Sequence, residues 1–166
     1  MQLVTISEGP THRFAGLGNV IVAVYVGAPA AGALRARVPW LEKALRRHGA
    51  VGQLVVVDRR ASGTLPDREF RDESRAQAER YRGSILFSAS VIEGDTVHHT
   101  LVRTFLRGLA LVAGRDVPVR FFDEVPPAAE WAAALARGHG GPSASELAQA
   151  VEALRPCLEP TLLHPR

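Results

Sequence analysis

The sequence predicts an α/β fold: a mixed, mostly parallel open sheet of about five strands with flanking helices and an extra C-terminal helix. Short apolar runs rich in valine and isoleucine alternate along the chain with longer amphipathic stretches. Glycine and proline stand at most of the boundaries between them. The length of 166 residues suits one domain. Strands that alternate with helices need crossover connections, and these produce a largely parallel sheet covered by helices.

The predicted strands show either period-two alternation or an unbroken apolar run. The first two are separated by the turn "EGPTH", so we expect them to pair antiparallel. The second is long, and Gly16 and Gly18 are expected to bend or bulge its approach. In chain order, the predicted strands cover residues 2–8, 13–27, 52–58, 84–94 and 117–123.

The predicted helices carry apolar residues at helical spacing between start and stop signals. Pro39 lies inside the first helix and predicts a kink or a late start there, and Gly49 is expected to end that helix. Pro66 is well placed to begin the second, which is charged and exposed. In chain order, the predicted helices cover residues 28–50, 67–83, 96–113, 124–138 and 145–156.

The chain is expected to form an α/β domain over residues 1–137, followed by a C-terminal region over residues 138–166. This region begins with the linker "HGGPSAS" and continues into an amphipathic helix. Its last residues, 157–166, are expected to fray. An apolar stripe on the helix must pack on something, and it consists of Leu147, Ala150, Val151 and Leu154.

Composition and charge argue against several classes of protein. The net charge is +3, and the basic residues are spread among acids, so no nucleic-acid surface is predicted. No apolar run reaches the ~18 residues of a membrane span, and the first residues lack the pattern of a signal peptide. The single cysteine, Cys157, leaves no partner for an internal disulfide. We expect a cytoplasmic protein without an integral membrane segment.

Two adjacent histidines, His98 and His99, open the helix predicted over 96–113. Neighbouring positions on a helix are ~100° apart, so the two rings diverge and are poorly placed to hold one metal ion. No metal site is predicted. With Val97 taken as zero, His98 falls in the middle of the apolar stripe and His99 at its edge. His98 is therefore expected to be a core histidine or a pocket histidine, because helix starts lie above the carboxyl ends of the strands.

Polar residues are expected to gather at the carboxyl ends of the strands, where ligands bind in open α/β sheets. Carboxylates and histidines gathered at this edge of the sheet can form a general acid–base site or bind a divalent ion. Acids beyond strand ends are equally common as turn residues and helix caps. No dinucleotide loop, phosphate-binding GK[ST] sequence or GxSxG elbow is present, so no catalytic residue and no cofactor are predicted. The ligand-pocket candidates are Asp58, Ser62, Glu93, Asp95, His98 and Asp123.

Three segments, together with the order of elements, carry a resemblance to a known family. They are "GQLVVVDRRASG", "SILFSASVIEGDTVHHTLVRTFLRGLALVAG" and "VRFFDEVPPAAEWAAAL". Over residues 2–137 the chain resembles a STAS-like domain, the fold of anti-sigma-factor antagonists and of the related SEC14-type modules. The resemblance implies a STAS-like α/β fold and a role as a binding or switch module.

The same resemblance implies a phosphorylation candidate. In typical members a D-S-[ST]-G loop follows the third strand, and a partner kinase phosphorylates its second hydroxyl residue. Here the corresponding stretch is "RASG": Ser62 and Gly63 match the last two positions, whereas Arg60 and Ala61 depart from the first two. Ser62 is therefore the candidate, and Arg59 and Arg60 are the cations that can hold its phosphate.

Two functions from different classes follow. The first is a non-catalytic cytoplasmic binding or regulatory domain, in which the 59–70 loop and the 67–83 helix contact a protein such as a kinase, a phosphatase or a sigma-pathway protein. The C-terminal helix would cover a groove or form a homodimer. The alternative is a carrier of a small molecule or lipid, or a small enzyme, that uses the crevice at the carboxyl ends of the strands.

Overall fold

A six-stranded sheet organises the part of the chain that the computed structural model describes, namely residues 1–28, 30–62, 65–113 and 117–155. The first three strands pair antiparallel and the last four pair in parallel. The prediction of a mixed, mostly parallel sheet is confirmed. The strands, in spatial as well as chain order, are β1 (Leu3–Glu8), β2 (His12–Leu17), β3 (Val20–Tyr25), β4 (Val51–Val57), β5 (Ile85–Ile92) and β6 (Val119–Phe122).

The long second strand predicted over 13–27 is in fact a hairpin of β2 and β3, so the described sheet has six strands rather than five. Leu17 pairs with Val20, which leaves Gly18 and Asn19 as the turn. Gly18 has a φ of 60°, in the left-handed region that favours glycine. Both strands of the hairpin are largely buried on two faces, so the apolar run continues through the turn and conceals it.

Helices connect these strands and cover the sheet. The helix predicted over 28–50 is broken at Arg37, and Pro39 stands in the first turn of the second piece, in agreement with the predicted late start. A short 3₁₀ helix covers Arg137–His139. The α-helices are α1 (Ala31–Ala36), α2 (Val38–His48), α3 (Arg68–Arg80), α4 (Val97–Ala113), α5 (Val125–Ala136) and α6 (Ala144–Leu154).

The connections divide the helices between the two faces of the sheet. From β3 to β6, each strand lies beside the preceding one and the sheet grows in one direction. Crossover connections of the same hand therefore place their helices on the same face of the sheet. Helices α1 to α4 cover that face. Helices α5 and α6 follow the last strand and cover the other, where they enclose the main hydrophobic core. The fold therefore has three layers, with the sheet in the middle.

Helix α6 belongs to this main core. Ser143 caps it, forming a capping box with Glu146. Leu147 and Val151 are fully buried against the sheet and α5, so the apolar stripe predicted for this helix has its packing partner. The end of the helix predicted at Pro156, the tail expected to fray and Cys157 lie outside the described residues.

Candidate functional site

A cluster of charged side chains closes the carboxyl ends of β4 and β5. Asp58 is 1% exposed, and its Oδ1 accepts hydrogen bonds from the backbone N of Arg60 at 2.9 Å and from its Nε at 2.8 Å. Its Oδ2 accepts from Arg60 Nη2 at 3.2 Å and from Arg155 Nη1. Arg155 also donates two hydrogen bonds of 2.8 Å to the carboxylate of Glu93. We call Asp58, Arg60, Glu93 and Arg155 the strand-end cluster.

The strand-end cluster keeps the carboxylate of Asp58 ionised. Burial by itself would raise the pKa of Asp58, but the hydrogen bonds from Arg60 and Arg155 outweigh burial and lower the pKa to about 2. The hydrogen bonds to Glu93 raise the pKa of Arg155 in turn. A carboxyl group with so low a pKa is a poor proton acceptor at neutral pH, so this geometry stabilises the fold better than it serves acid–base chemistry.

Three of the predicted site residues meet in one open crevice beside this cluster: Asp58, Glu93 and Asp123. Asp123 lies at its rim and forms an ion pair of 3.0 Å with Arg103 of α4. Asp95 is exposed in the loop before α4 and is not among the described residues that line the crevice. The structure thus brings three of the predicted residues together. Nothing in the sequence indicated that Arg155 contacts two of them.

Ser62, the phosphorylation candidate, is partly buried just beyond β4. Its backbone N donates a hydrogen bond of 3.2 Å to the carbonyl of Val26. Arg60, one of the two cations expected to hold a phosphate here, is already paired with Asp58. Arg59 is exposed.

The burial of the two histidines differs from the sequence prediction. His99, expected at the edge of the apolar stripe, is 1% exposed. Its Nε2 donates to the carbonyl of Asp58 at 3.2 Å, and its Nδ1 lies 2.7 Å from the hydroxyl of Thr96. The planes of the two rings are inclined at 79°, and the ring centroids are 5.8 Å apart. The His99 ring packs against Gly94 in the loop before α4, where the absence of a side chain leaves room for it. A periodicity counted along α4 alone does not include this loop, so it does not predict the contact.

His98 is half-buried and lines a separate cavity on the face covered by α1 to α4. The cavity has a volume of about 210 Å³ and lies between the sheet and these helices. Sequence reasoning did not find it, because its lining comes from most of the elements on that face and no local spacing joins them. Its apolar wall includes Val55, Val57, Phe70, Val102, Phe105, Leu106 and Phe121.

Polar side chains enter this cavity mainly from α3 and the inner face of the sheet, and Arg37 enters it from the junction of α1 and α2. The charged ones are Arg37, Arg75 and Arg82, and no aspartate or glutamate is among the described residues that line it. Arg75 and Arg82 are exposed, whereas Arg37 is turned inward. The neutral polar side chains are Tyr25, Gln53, Ser74, Gln77, Tyr81, Ser88 and Ser90.

No group of three histidine, cysteine, aspartate or glutamate side chains among the described residues is arranged to hold a metal ion. No helix in the described part of the chain combines the length and the apolar character needed to cross a membrane.

Comparison with known proteins gives a solved structure of similar fold. Neither a protein-family model nor a curated protein matches this sequence. A solved structure does match: an uncharacterized protein of the DUF3478 family from Shewanella loihica PV-4, described as having a SpoIIAA-like fold. The match has a TM-score of 0.52 and 13% sequence identity, and it covers 76% of this chain and 97% of that chain. At this identity the likeness concerns the fold alone, and it agrees with the predicted STAS-like order of elements. The chain has a SpoIIAA-like α/β fold.

Proposed function

We propose that this chain is a non-catalytic, cytoplasmic binding domain that takes a small, mainly apolar molecule into the cavity between the sheet and α1 to α4. The cavity itself carries the proposal. At about 210 Å³ it exceeds the size of protein cavities, about 150 Å³, that are known to bind benzene. Its lining is mostly apolar with a few inward polar groups, which is typical of small-molecule sites.

A ligand that binds this cavity only in the native state would also stabilise the fold, so binding can be followed as a rise in Tm.

Binding is favoured over catalysis by the state of the strand-end crevice. The two most buried carboxylates of the crevice, Asp58 and Glu93, are both held by Arg155. Asp123 at its rim is paired with Arg103. A site for acid–base catalysis needs a group whose pKa lies near the working pH, and the pKa of Asp58 is about 2. The cavity on the helical face is therefore the better candidate for the ligand.

Calorimetric titration with octan-1-ol, a neutral apolar probe, tests the proposal. The unmodified chain is expected to bind it, and Ala78→Phe should abolish the heat of binding because residue 78 lines the cavity. Ala76→Phe is the matched control: it lies on the same helix, is exposed, and should leave binding unchanged. Absence of binding to the unmodified chain, or equal binding to both variants, would count against the cavity as a ligand site.

A second candidate function is a protein-contact module switched by phosphorylation. Two apolar side chains one helical turn apart, Val97 and Leu101, are 78% and 49% exposed at the start of α4. They lie at the edge of the sheet where Ser62 follows β4, and the His99–Asp58 hydrogen bond joins these two segments. This apolar patch favours a protein partner near the candidate serine, such as a kinase or phosphatase.

A phosphate on Ser62 would compete with Asp58 for Arg60, and so would alter the strand-end cluster. Intact-mass measurement of the chain purified from its native host should then show one added phosphate, which Ser62→Ala removes. A chain that never carries phosphate, in growing or in stressed cells, would end this second candidate.

A further inference from the structure

Every charged side chain that lines the cavity among the described residues is an arginine. An apolar cavity in a low-dielectric interior strengthens the field of any uncompensated charge near it. The charge of one of these arginines, Arg37, is directed inward. The ligand of this cavity therefore has to be compatible with positive charge.

Arg37 lies between α1 and α2, and its guanidinium is hydrogen-bonded only to neutral groups in the described part of the chain. Its Nε donates to Oε1 of Gln77 at 2.7 Å, and its Nη1 donates to Oε1 of Gln53 at 3.1 Å. No carboxylate of the described residues lies within the 4.0 Å of an ion pair with Arg37. Its Nη2 makes no hydrogen bond to the described residues, so that edge of the guanidinium is available.

A second layer of contacts orients the amide of Gln77 toward Arg37. Gln77 is 4% exposed, and its Nε2 donates to the carbonyl of Leu34 at 3.0 Å and to Oε1 of Glu73 at 2.7 Å. With both donors satisfied on that side, the amide oxygen faces Arg37. The guanidinium is therefore held in place before any ligand arrives, and little conformational entropy is lost on binding.

Burial lowers the pKa of Arg37, yet a guanidinium stays protonated in proteins. Burial also raises the pKa of Tyr25, whose hydroxyl therefore stays protonated and can donate a hydrogen bond. Glu73 adds a favourable charge at longer range, but its carboxylate is paired with Arg35 at 3.1 Å. An anionic ligand can therefore supply the direct ion pair that Arg37 does not make with any described residue.

We propose that the ligand of this cavity is a small carboxylate with an apolar body, whose carboxylate pairs with Arg37 and whose body lies against Val55, Val102 and Phe121. This inference rests on the proposed function and specifies its ligand class. Nε and Nη1 already donate to Gln77 and Gln53, so the carboxylate would accept hydrogen bonds from Nη2. Such charge-assisted hydrogen bonds are roughly twice as strong as neutral ones. The apolar walls then select the rest of the molecule.

The volume sets the size of the test molecule. If about 150 Å³ holds the six carbons of benzene, then about 210 Å³ holds roughly eight to ten non-hydrogen atoms. Octanoate and octan-1-ol have this size and the same chain, and they differ in the charge of the head group. Carboxylic acids have pKa values near about 4, so octanoate is ionised at neutral pH.

The experiment compares the two probes by isothermal titration calorimetry on the full chain. Octanoate should bind at least about tenfold more tightly than octan-1-ol, because a hydrogen bond to a charged group contributes more than a neutral one. Arg37→Gln should remove this preference by weakening octanoate alone. Arg37→Lys keeps the positive charge and should retain part of the preference for octanoate. Arg71→Gln is the matched control and should retain the whole preference, because Arg71 is exposed on α3 and is not among the described residues that line the cavity.

The outcomes separate the inference from the proposed function. Equal binding of the two probes, or the same loss of preference in Arg71→Gln as in Arg37→Gln, would refute the carboxylate site and leave the cavity as a site for neutral molecules. No binding of either probe would refute both proposals. If Arg37→Gln does not fold, NMR of the unmodified chain decides: octanoate, and not octan-1-ol, must shift the Hε resonance of Arg37.

Discussion

At the scale of single residues, Arg155 has the largest expected effect on stability. It is the C-cap of α6, yet it contacts the carboxylates at the ends of two central strands. Nothing in the sequence around Arg155 indicates these contacts, because Asp58 is 97 positions away. Asp58 and Glu93 were predicted as polar groups at a strand edge, and the structure shows that a cation from the last described helix compensates them.

Removing this cation should destabilise the fold strongly. Arg155→Ala leaves two largely buried carboxylates without their shared partner, and breaking a buried ion pair in this way costs about 3–5 kcal/mol. Arg59→Ala is the control, because Arg59 lines the same crevice and is exposed, and it should change the free energy of unfolding by less than about 0.5 kcal/mol. Urea denaturation measures both. Similar values for the two variants would show that the cluster contributes little.

Asp58 should also make stability depend on pH in the acid range. Its pKa is lowered from 3.8 to about 2 on folding, so its contribution is complete above pH 3.8 and is lost as the pH falls through about 2. A shift of this size corresponds to about 2 kcal/mol.

The difference in free energy of unfolding between the unmodified chain and Asp58→Asn isolates this contribution. The difference should be constant from pH 7 to pH 5 and should shrink steadily toward pH 2. Glu146, whose pKa is also lowered to about 2, is present in both proteins and cancels in the difference. A difference that stays constant down to pH 2 would contradict the assigned pKa.

At the scale of elements, the close pairing of β4 and β5 depends on Gly52. Gly52 is paired with Phe87 of the neighbouring strand, and a Cβ at position 52 would lie 2.2 Å from the ring. Phe87 is fully buried and stacks edge-on against Trp131 of α5, so its ring has little room to move. The glycine therefore permits a bulky aromatic residue in the main core.

Gly52→Ala should lower the free energy of unfolding by about 1–3 kcal/mol, because it overpacks the core. Gly32→Ala is the matched control: residue 32 lies in α1 and its added Cβ would meet nothing within 4 Å. That variant should be stabilised by up to about 1 kcal/mol, because alanine favours the helix. Differential scanning calorimetry gives the sign of each change. Two changes of the same sign would argue against this packing.

At the scale of the whole molecule, the two faces of the sheet differ in how they are covered. Helices α5 and α6 seal one face with a continuous core. The other face is covered by four helices whose buried contacts form three smaller clusters. The cavity lies on this second face. A rigid layer on one side and a less completely packed layer on the other suit a domain that admits a ligand on one face only.

The sealed face should act as one cooperative unit with α6 included. Leu147→Ala removes a fully buried side chain and should cost about 2–5 kcal/mol, while Gln149→Ala on the same helix should change stability by less than about 0.5 kcal/mol. Far-ultraviolet circular dichroism and tryptophan fluorescence should report one coincident transition, because Trp40 and Trp131 lie on opposite faces. A separate early transition in Leu147→Ala would show that α6 unfolds alone.

The sequence by itself determined the alternation of strands and helices after β3, the mixed sheet, the interruption near Pro39 and the helix end at Gly49, because periodicity and backbone restriction act over a few neighbouring residues. It also indicated that Asp58 and Glu93 lie together at the carboxyl ends of neighbouring strands. It did not reveal the β2–β3 hairpin, because both strands are apolar up to the turn. Only the tertiary structure shows that Arg155 pairs with Asp58 and Glu93, that His99 is the buried histidine and that Arg37 lines a cavity. Each of these depends on how elements distant in the chain pack against one another, and no local pattern carries that information.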